Sequence, residues 1–201
     1  MASYYMAIDI GTKNGRQMIG YIENGRLQME EVHRFDNRII SKGGEHYWDI
    51  EHLYEEIIVG LKKCWDIEKL PVLIGIGTWG SDFVLLDQEN KPIRKAVAYG
   101  DERPSTIDQL KAIKEQDPEC LEKAECLLFI GDYLSFLFTG VKCCEYTNAN
   151  TTLLVDTDKG VWNEEIIQRH GFPRDIFIRL CPPGIMLSNL IRKVAEEIGY
   201  D

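Results

Sequence analysis

The chain has 201 residues, which is enough for one sizeable α/β domain with its own buried core. Its 44% hydrophobic and 28% charged residues exclude a disordered or fibrous protein. The net charge of -10 opposes non-specific binding to nucleic acid or to an anionic membrane, so we expect neither as a partner.

The amino terminus and the cysteines predict the compartment. The first nine residues lack the basic stretch and long apolar core of a signal peptide. The longest apolar run, Cys126 to Phe138, contains Asp132 and is too short for a membrane span. The six cysteines form no Cys-x-x-Cys pair. We therefore expect a cytoplasmic protein with reduced thiols.

The first forty residues predict a three-stranded antiparallel meander. Two Asn-Gly steps, at positions 14–15 and 24–25, separate β-like runs and favour the positive φ of tight hairpin turns. The expected strands are Tyr4–Ile10, Arg16–Ile22 and Leu27 to about Phe35.

A helix and a further strand are expected to complete a mixed sheet. Apolar residues at helical spacing predict a helix from about 50 to 65, with Asp49 as its N-cap. Leu70–Gly77 is continuously apolar, the pattern of a strand buried on both faces. The later elements are expected to be strands at Phe83–Leu86 and Ala96–Tyr99, then helices at Ser105–Lys114, Glu122–Phe138, Asn163–His170 and Ser188–Ile198.

The turn after the first strand is a candidate phosphate site. Asp9 stands at the strand end, and a polar, glycine-flanked turn runs from Gly11 to Arg16. Such a turn can direct several backbone N–H groups at phosphate oxygens, while Asp9 holds a metal-bound water and Lys13 or Arg16 neutralises charge. A plain hairpin beside an acidic residue is the alternative.

A glycine motif at residues 75–80 resembles a dinucleotide-binding fingerprint but is predicted to be a turn. Residues 75–80 match Gly-x-Gly-x-x-Gly, but a strand pattern follows where a dinucleotide-binding fingerprint needs a helix. We therefore expect a close-approach turn in which Trp79 and Asp82 edge a pocket. The four histidines and six cysteines show no zinc-ligand spacing, so no metal cluster is expected.

Taken in order, the motifs make the chain resemble the amino-terminal lobe of FGGY carbohydrate kinases, and within that family the rhamnulokinase branch. The segments that carry the resemblance are Ala7–Arg16, His33–Asn37, Trp48–Ile50, Thr78–Asp87, Ala98–Arg103, Asp132–Gly140, Glu145–Thr152 and Trp162. The resemblance implies an α/β, actin-like (ribonuclease-H-like) lobe with a mixed sheet flanked by helices, as one domain over residues 1–201.

The resemblance also implies the chemistry, which is transfer of the γ-phosphoryl group of ATP to the 1-hydroxyl of L-rhamnulose. ATP and Mg²⁺ serve the full-length family. The expected cofactor-binding residues are Asp9, which organises magnesium through water, and Gly11, Thr12, Lys13, Asn14, Gly15 and Arg16. The expected substrate-binding residues are Trp79, Gly80, Asp82 and Arg103.

Departures from the family pattern shape the expected function. The proton-accepting Asp of the family lies in a Ser/Gly-His-Asp-Thr stretch that this sequence lacks, and no carboxy-terminal nucleotide-binding lobe is expected. Gly77 and Gly100 stand where the rhamnulose branch usually has Asp and Arg. Because general-base catalysis alone supplies ~10²–10⁴ in rate, we expect this chain by itself to be inactive and to bind ATP weakly or not at all.

The expected partners are a small-molecule ketose and either a separately encoded carboxy-terminal lobe or a second copy of the chain. One alternative is a non-catalytic relic, or a sugar-responsive binding module. Another is an unrelated α/β protein that uses only the hairpin to bind an anion.

Overall fold

The computed structural model describes residues 3–98 and 105–200. Its strands are β1 (Tyr4–Ile10), β2 (Asn14–Glu23), β3 (Arg26–Asp36), β4 (Ile39–Lys42), β5 (Glu45–Trp48), β6 (Pro71–Gly77), β7 (Phe83–Leu86), β8 (Cys126–Phe129), β9 (Cys144–Glu145), β10 (Val155–Asp156), β11 (Val161–Trp162) and β12 (Leu180–Cys181). Its helices are α1 (Ile50–Asp66), α2 (Thr106–Gln116), α3 (Pro118–Glu122), α4 (Ile130–Thr139), α5 (Tyr146–Asn150), α6 (Glu164–His170) and α7 (Arg192–Ile198).

The chain divides into two compact units. The first, here called the sheet unit, comprises residues 1–40, 49–79 and 189–201. The second unit comprises residues 41–48 and 80–188. Each is described by itself below.

The sheet unit is built on a mixed four-stranded sheet in the order β3-β2-β1-β6. The strands β1, β2 and β3 form the predicted antiparallel meander, and β6 runs parallel to β1. Asn24 and Gly25 adopt φ of 50° and 73° between β2 and β3, as expected for an Asn-Gly hairpin turn.

Helix α1 covers one face of this sheet. Asp49 caps it as predicted, because its side chain accepts a hydrogen bond from the backbone N–H of His52 at 3.1 Å. Beneath it are apolar strand residues that are at most 3% exposed, namely Met6, Ile8, Ile10 and Ile19. The approach is close at Gly60, where an added Cβ would lie 2.2 Å from Oε1 of Gln17.

The expectation that strand β6 is buried on both faces is wrong. Val72 is 63% exposed and Leu73 is 50% exposed. These side chains are exposed because β6 lies at the edge of the sheet and α1 covers only one face. An apolar run therefore marked a strand correctly but did not reveal how much of it is covered.

In the second unit, the predicted single helix over Glu122–Phe138 is also wrong. Cys126–Phe129 is strand β8, which pairs antiparallel with β7 so that Phe83 lies opposite Phe129. The helix begins only at Ile130 and ends at Thr139, and the following residue, Gly140, caps it with φ of 72°. A short, wholly apolar run has no periodicity that separates strand from helix, and pairing with β7 decides in favour of the strand.

The remaining helix ends follow local capping. Ser105 caps α2 with a capping box to Asp108, and Asn163 caps α6. Helix α7 begins at Arg192 rather than at the predicted Ser188. In the predicted strand at Ala96–Tyr99, the structure has a single bridge from Val97 to Tyr47, and Tyr99 lies outside the described residues.

The six cysteines are all buried and form no disulfide. None of the helices within residues 3–98 and 105–200 is both long and apolar enough to cross a membrane.

Candidate functional site

The predicted phosphate-binding turn follows β1 in the sheet unit, and the structure brings two of its charged residues together. Asp9 and Arg16 are register partners on β1 and β2. Nε and Nη2 of Arg16 donate to Oδ2 of Asp9 at 3.0 and 2.9 Å. Their side chains are 50% (Arg16) and 62% (Asp9) exposed, so the pair stands at the solvent-accessible end of the sheet.

The turn itself is held by a residue that the site prediction omitted. The backbone N–H of Gly11 donates to the carbonyl of Asn14 at 2.8 Å, which closes the loop. Asn37 then binds the loop twice, because its Nδ2 donates to the carbonyl of Gly11 at 3.0 Å and its backbone N–H donates to the carbonyl of Lys13 at 2.9 Å. The sequence feature that could have identified Asn37 as a site residue is its position in the His33–Asn37 motif.

Gly15 serves packing rather than turn geometry. Asn14 and Gly15 begin strand β2, and neither has the positive φ that the Asn-Gly step predicted. A Cβ at Gly15 would lie 2.2 Å from Cζ of the buried Phe35 ring. The glycine therefore lets β2 pass over an aromatic core residue directly beside the loop, while Lys13 and Asn14 remain exposed.

The second part of the predicted site begins at the bend of Trp79 and Gly80, where the chain leaves the sheet unit. In the second unit, Asp82 is only 8% exposed. Its Oδ2 accepts from Nε1 of Trp48 at 2.7 Å, and its Oδ1 accepts from Nε2 of Gln109 at 2.9 Å. Both oxygens thus bind protein donors, so Asp82 supports the bend from within.

The bend has a constrained backbone. Ser81 adopts φ of 74°, which is unfavourable for a residue with a side chain. The hydroxyl of Thr106 donates to the Ser81 carbonyl at 3.0 Å, and the backbone N–H of Asp82 donates to the Gly80 carbonyl at 3.0 Å. These bonds hold residues 80–82 in one conformation.

Gly80 faces the motif that carries helix α5. A Cβ at Gly80 would lie 3.1 Å from Oγ1 of Thr151 and 3.3 Å from Oδ1 of Asn148. Glu145 caps α5, since its carboxylate accepts from the backbone N–H groups of Thr147 and Asn148, both at 2.9 Å. The bend therefore lies close to polar side chains of the Glu145–Thr152 segment.

Arg103, the fourth predicted substrate residue, lies outside the described residues, as does Gly100. A titratable group of the second unit that the prediction did not include is Asp132 on α4. Burial raises the pKa of Asp132 to about 7, even though its carboxylate accepts from the backbone N–H of Glu145.

Comparison with known proteins agrees with this arrangement. The model of the FGGY family of carbohydrate kinases, N-terminal domain, matches residues 4–112 and 105–201. The chain is 39% identical to the rhamnulokinase of Oceanobacillus iheyensis over 98% of its own length. It is 40% identical to the rhamnulokinase of Halalkalibacterium halodurans over 99% of its length.

Solved structures show the same fold at low sequence identity. Gluconate kinase from Lactobacillus acidophilus matches with a TM-score of 0.87 at 15% identity, over 100% of this chain and 46% of that one. Ligand-bound xylulose kinase from Lactobacillus acidophilus matches with a TM-score of 0.85 at 15% identity, over 99% and 46% of the two chains. The predicted α/β, actin-like lobe is thus confirmed.

All of these relatives are longer than this chain, which spans 47% and 48% of the two rhamnulokinases. The match covers nearly the whole of the 201 residues. The chain belongs to the FGGY family of carbohydrate kinases and corresponds to its amino-terminal domain.

Proposed function

We propose that this chain is the sugar-facing half of a kinase that transfers the γ-phosphoryl group of ATP to the 1-hydroxyl of L-rhamnulose. The observation that carries the proposal is the 39–40% identity to rhamnulokinases across 98–99% of the chain. The bend supports it, since the segment from Thr78 to Asp87 has the form of the rhamnulose branch and is held by dedicated hydrogen bonds.

In this proposal the hairpin meets the transferring phosphate. A carboxylate oxygen is a ligand that Mg²⁺ prefers, often through water, and Asp9 offers its carboxylate at the exposed end of β1. The magnesium ion, when bound, neutralises phosphate charge. Arg16 already donates hydrogen bonds to Asp9, and Lys13 is exposed at the tip of the loop. Their positive charges would therefore reduce the repulsion between Asp9 and an incoming polyphosphate.

The bend positions the sugar in the same proposal. In the proposal the ketose lies against the backbone of Gly80, beside Thr151 and Asn148, and Trp79 and Arg103 line its site. Both carboxylate oxygens of Asp82 accept hydrogen bonds from protein side chains, Trp48 and Gln109, and these bonds fix residues 80–82. Asp82 is therefore a positioning residue in this proposal. Such fixed geometry matters because misplacement of about 1 Å can cost ~10²-fold in rate.

The isolated chain should bind sugar without turning over. The 201 residues match the amino-terminal domain of the family and span only 47–48% of the two rhamnulokinases, and we expect the other half to contribute the proton-accepting Asp. Calorimetric titration with L-rhamnulose tests the sugar site, and a coupled assay of ADP release tests turnover. We expect measurable binding heat with ADP release at background. Absence of heat at millimolar ketose, or robust turnover, would contradict the proposal.

A second candidate, a sugar-responsive module that has lost part of its site, is favoured by Gly77. This residue pairs with Asp9 in register, and a Cβ there would meet only the Ile8 carbonyl at 4.0 Å, so a side chain fits. The glycine thus replaces the usual Asp of the rhamnulose branch without a structural need. If Gly77→Asp binds L-rhamnulose and the parent chain does not, this second candidate is correct.

A further inference from the structure

The second unit contains a small cleft that the proposed function does not use. Its volume is about 240 Å³, counted to its open mouth. Three apolar side chains that are at most 7% exposed line it, namely Phe83, Leu85 and Ile113. Its polar lining residues are Arg94, Lys95 and Gln109. Apolar walls with a few polar groups are typical of small-molecule sites, and a volume below the roughly 300–1,000 Å³ of drug-sized sites suits a small ligand.

Arg94 lies half-buried at this cleft without an acidic partner. None of the ion pairs formed within residues 3–98 and 105–200 involves its guanidinium. Acidic partners are not scarce, because the sequence has 33 acidic against 23 basic residues. A guanidinium carries five N–H donors in a planar fork that matches a carboxylate or a phosphate. Arg94 can therefore bind the anionic group of a ligand.

Lys95 gives the cleft a second positive charge. Its ammonium lies 5.5 Å from the centre of the Tyr47 ring, and it too takes part in no ion pair within the described ranges. The charge of Arg94 also acts inside the fold. Burial raises the pKa of the Cys120 thiol, and the positive charge of Arg94 partly offsets that rise. The cleft thus combines an apolar surface with positive charge.

The relatives differ from this chain beside the cleft. The alignment with the Oceanobacillus iheyensis rhamnulokinase has 223 positions, whereas 98% of this chain is about 197 residues, so about 26 residues of that relative have no counterpart here. The family model matches residues 4–112 and 105–201 as two overlapping pieces, which places the missing stretch at the first two turns of α2. Since α2 supplies Gln109 and Ile113 to the cleft, the shortened segment adjoins it.

We infer that this cleft is a second ligand site, which takes a small organic anion with a carboxylate or phosphate group on a short apolar body. The guanidinium of Arg94 binds the anionic group, and the apolar body rests on Phe83 and Ile113. Gln109 links the cleft to the bend, because its Nε2 donates to Oδ1 of Asp82 at 2.9 Å. A bound anion would therefore lie next to a residue that supports the bend.

Amide chemical shifts of the isotopically labelled chain provide the assay, with butyrate as the first probe. We expect saturable shifts at residues 94–97 and 109–113. Acetate should bind about tenfold more weakly, because it lacks two CH₂ groups that the cleft would bury. Butylammonium has a similar apolar body with the opposite charge and should not bind. Monobutyl phosphate, titrated in the same way, shows whether the site prefers a phosphate or a carboxylate.

Matched arginine variants test the role of Arg94. Arg94→Met should weaken butyrate binding at least about tenfold, because it removes the charge and the fork of donors. Arg169→Met is the control, since Arg169 is exposed on α6 and pairs with Glu165 at 2.6 Å, and it should leave binding unchanged. Arg94→Lys keeps the charge but loses the fork, so it should bind butyrate more weakly than the parent chain and more tightly than Arg94→Met.

Urea unfolding separates ligand binding from a structural role. Because Arg94 forms no ion pair within the described residues, Arg94→Met should unfold at the same urea concentration as the parent chain or at a higher one. If Arg94→Met fails to fold, the comparison of Arg94→Lys with the parent chain decides.

Four results would overturn the inference. They are no shift at tens of millimolar butyrate, shifts that do not saturate, equal affinity for acetate and butyrate, and equal affinity of the Arg94 and Arg169 variants for butyrate. None of these measurements uses L-rhamnulose, so the second site and the proposed function are tested independently.

Discussion

The raised pKa of Asp132 makes a quantitative prediction about stability. Burial on α4 raises this pKa from 3.8 to about 7, and the Glu145 carboxylate nearby adds to the effect. The folded state therefore favours the neutral carboxyl, whereas the unfolded chain ionises it near pH 4. As the pH rises from 4 to 7, the free energy of unfolding should fall, and above pH 7 this contribution levels off.

The size of the effect follows from the shift. About three pKa units at about 1.4 kcal/mol each give an upper bound of about 4 kcal/mol. Asp132→Asn removes the ionisation but keeps an oxygen that can accept from the Glu145 N–H. The variant should match the parent protein near pH 4 and exceed its stability by up to that amount at pH 8.

Urea unfolding between pH 4 and pH 8 provides the assay, with the difference between variant and parent as the quantity of interest. Other titrating groups cancel in that difference. Asp158→Asn, at an exposed position, is the control and should show no such pH dependence. A difference between Asp132→Asn and the parent that stays constant across this range would refute the burial argument.

Two further substitutions test the geometry of the site. Gly15→Ala should lower the melting temperature and cost about 1–3 kcal/mol, because its Cβ would lie 2.2 Å from the Phe35 ring. Gly11→Ala is its control, since that Cβ meets the Asn14 carbonyl at an ordinary 3.4 Å, and equal losses would count against the packing role. Gln109→Leu removes a donor from the buried Asp82 and should cost about 1–3 kcal/mol in urea unfolding, whereas an unchanged midpoint would show that the bond is dispensable.

Local signals in the sequence predicted the local structure well. Asn24-Gly25 specified a hairpin turn because both residues tolerate positive φ, and Asp49 specified the start of α1 because its carboxylate satisfies a free N–H group. The meander and the first helix therefore followed from the sequence with bounds correct to within a few residues.

Features that depend on distant pairing did not follow from the sequence. The apolar runs at β6 and β8 have the same local pattern, yet β6 is an exposed edge and β8 is buried beside β7. The donors that hold Asp82 lie 34 and 27 residues away, at Trp48 and Gln109. No spacing within a motif could have revealed them, although Trp48 did belong to a family segment.

Labelling of the buried cysteines would report local unfolding of the protein. Burial raises the pKa of the Cys64 thiol to about 11 and also raises those of Cys126 and Cys144. Alkylating reagents attack the thiolate, so in the native state these groups are protected both sterically and by their protonation. Because Cys64 lies in the sheet unit and Cys126 and Cys144 lie in the second unit, the order in which they become labelled would reveal which half of the protein loosens first.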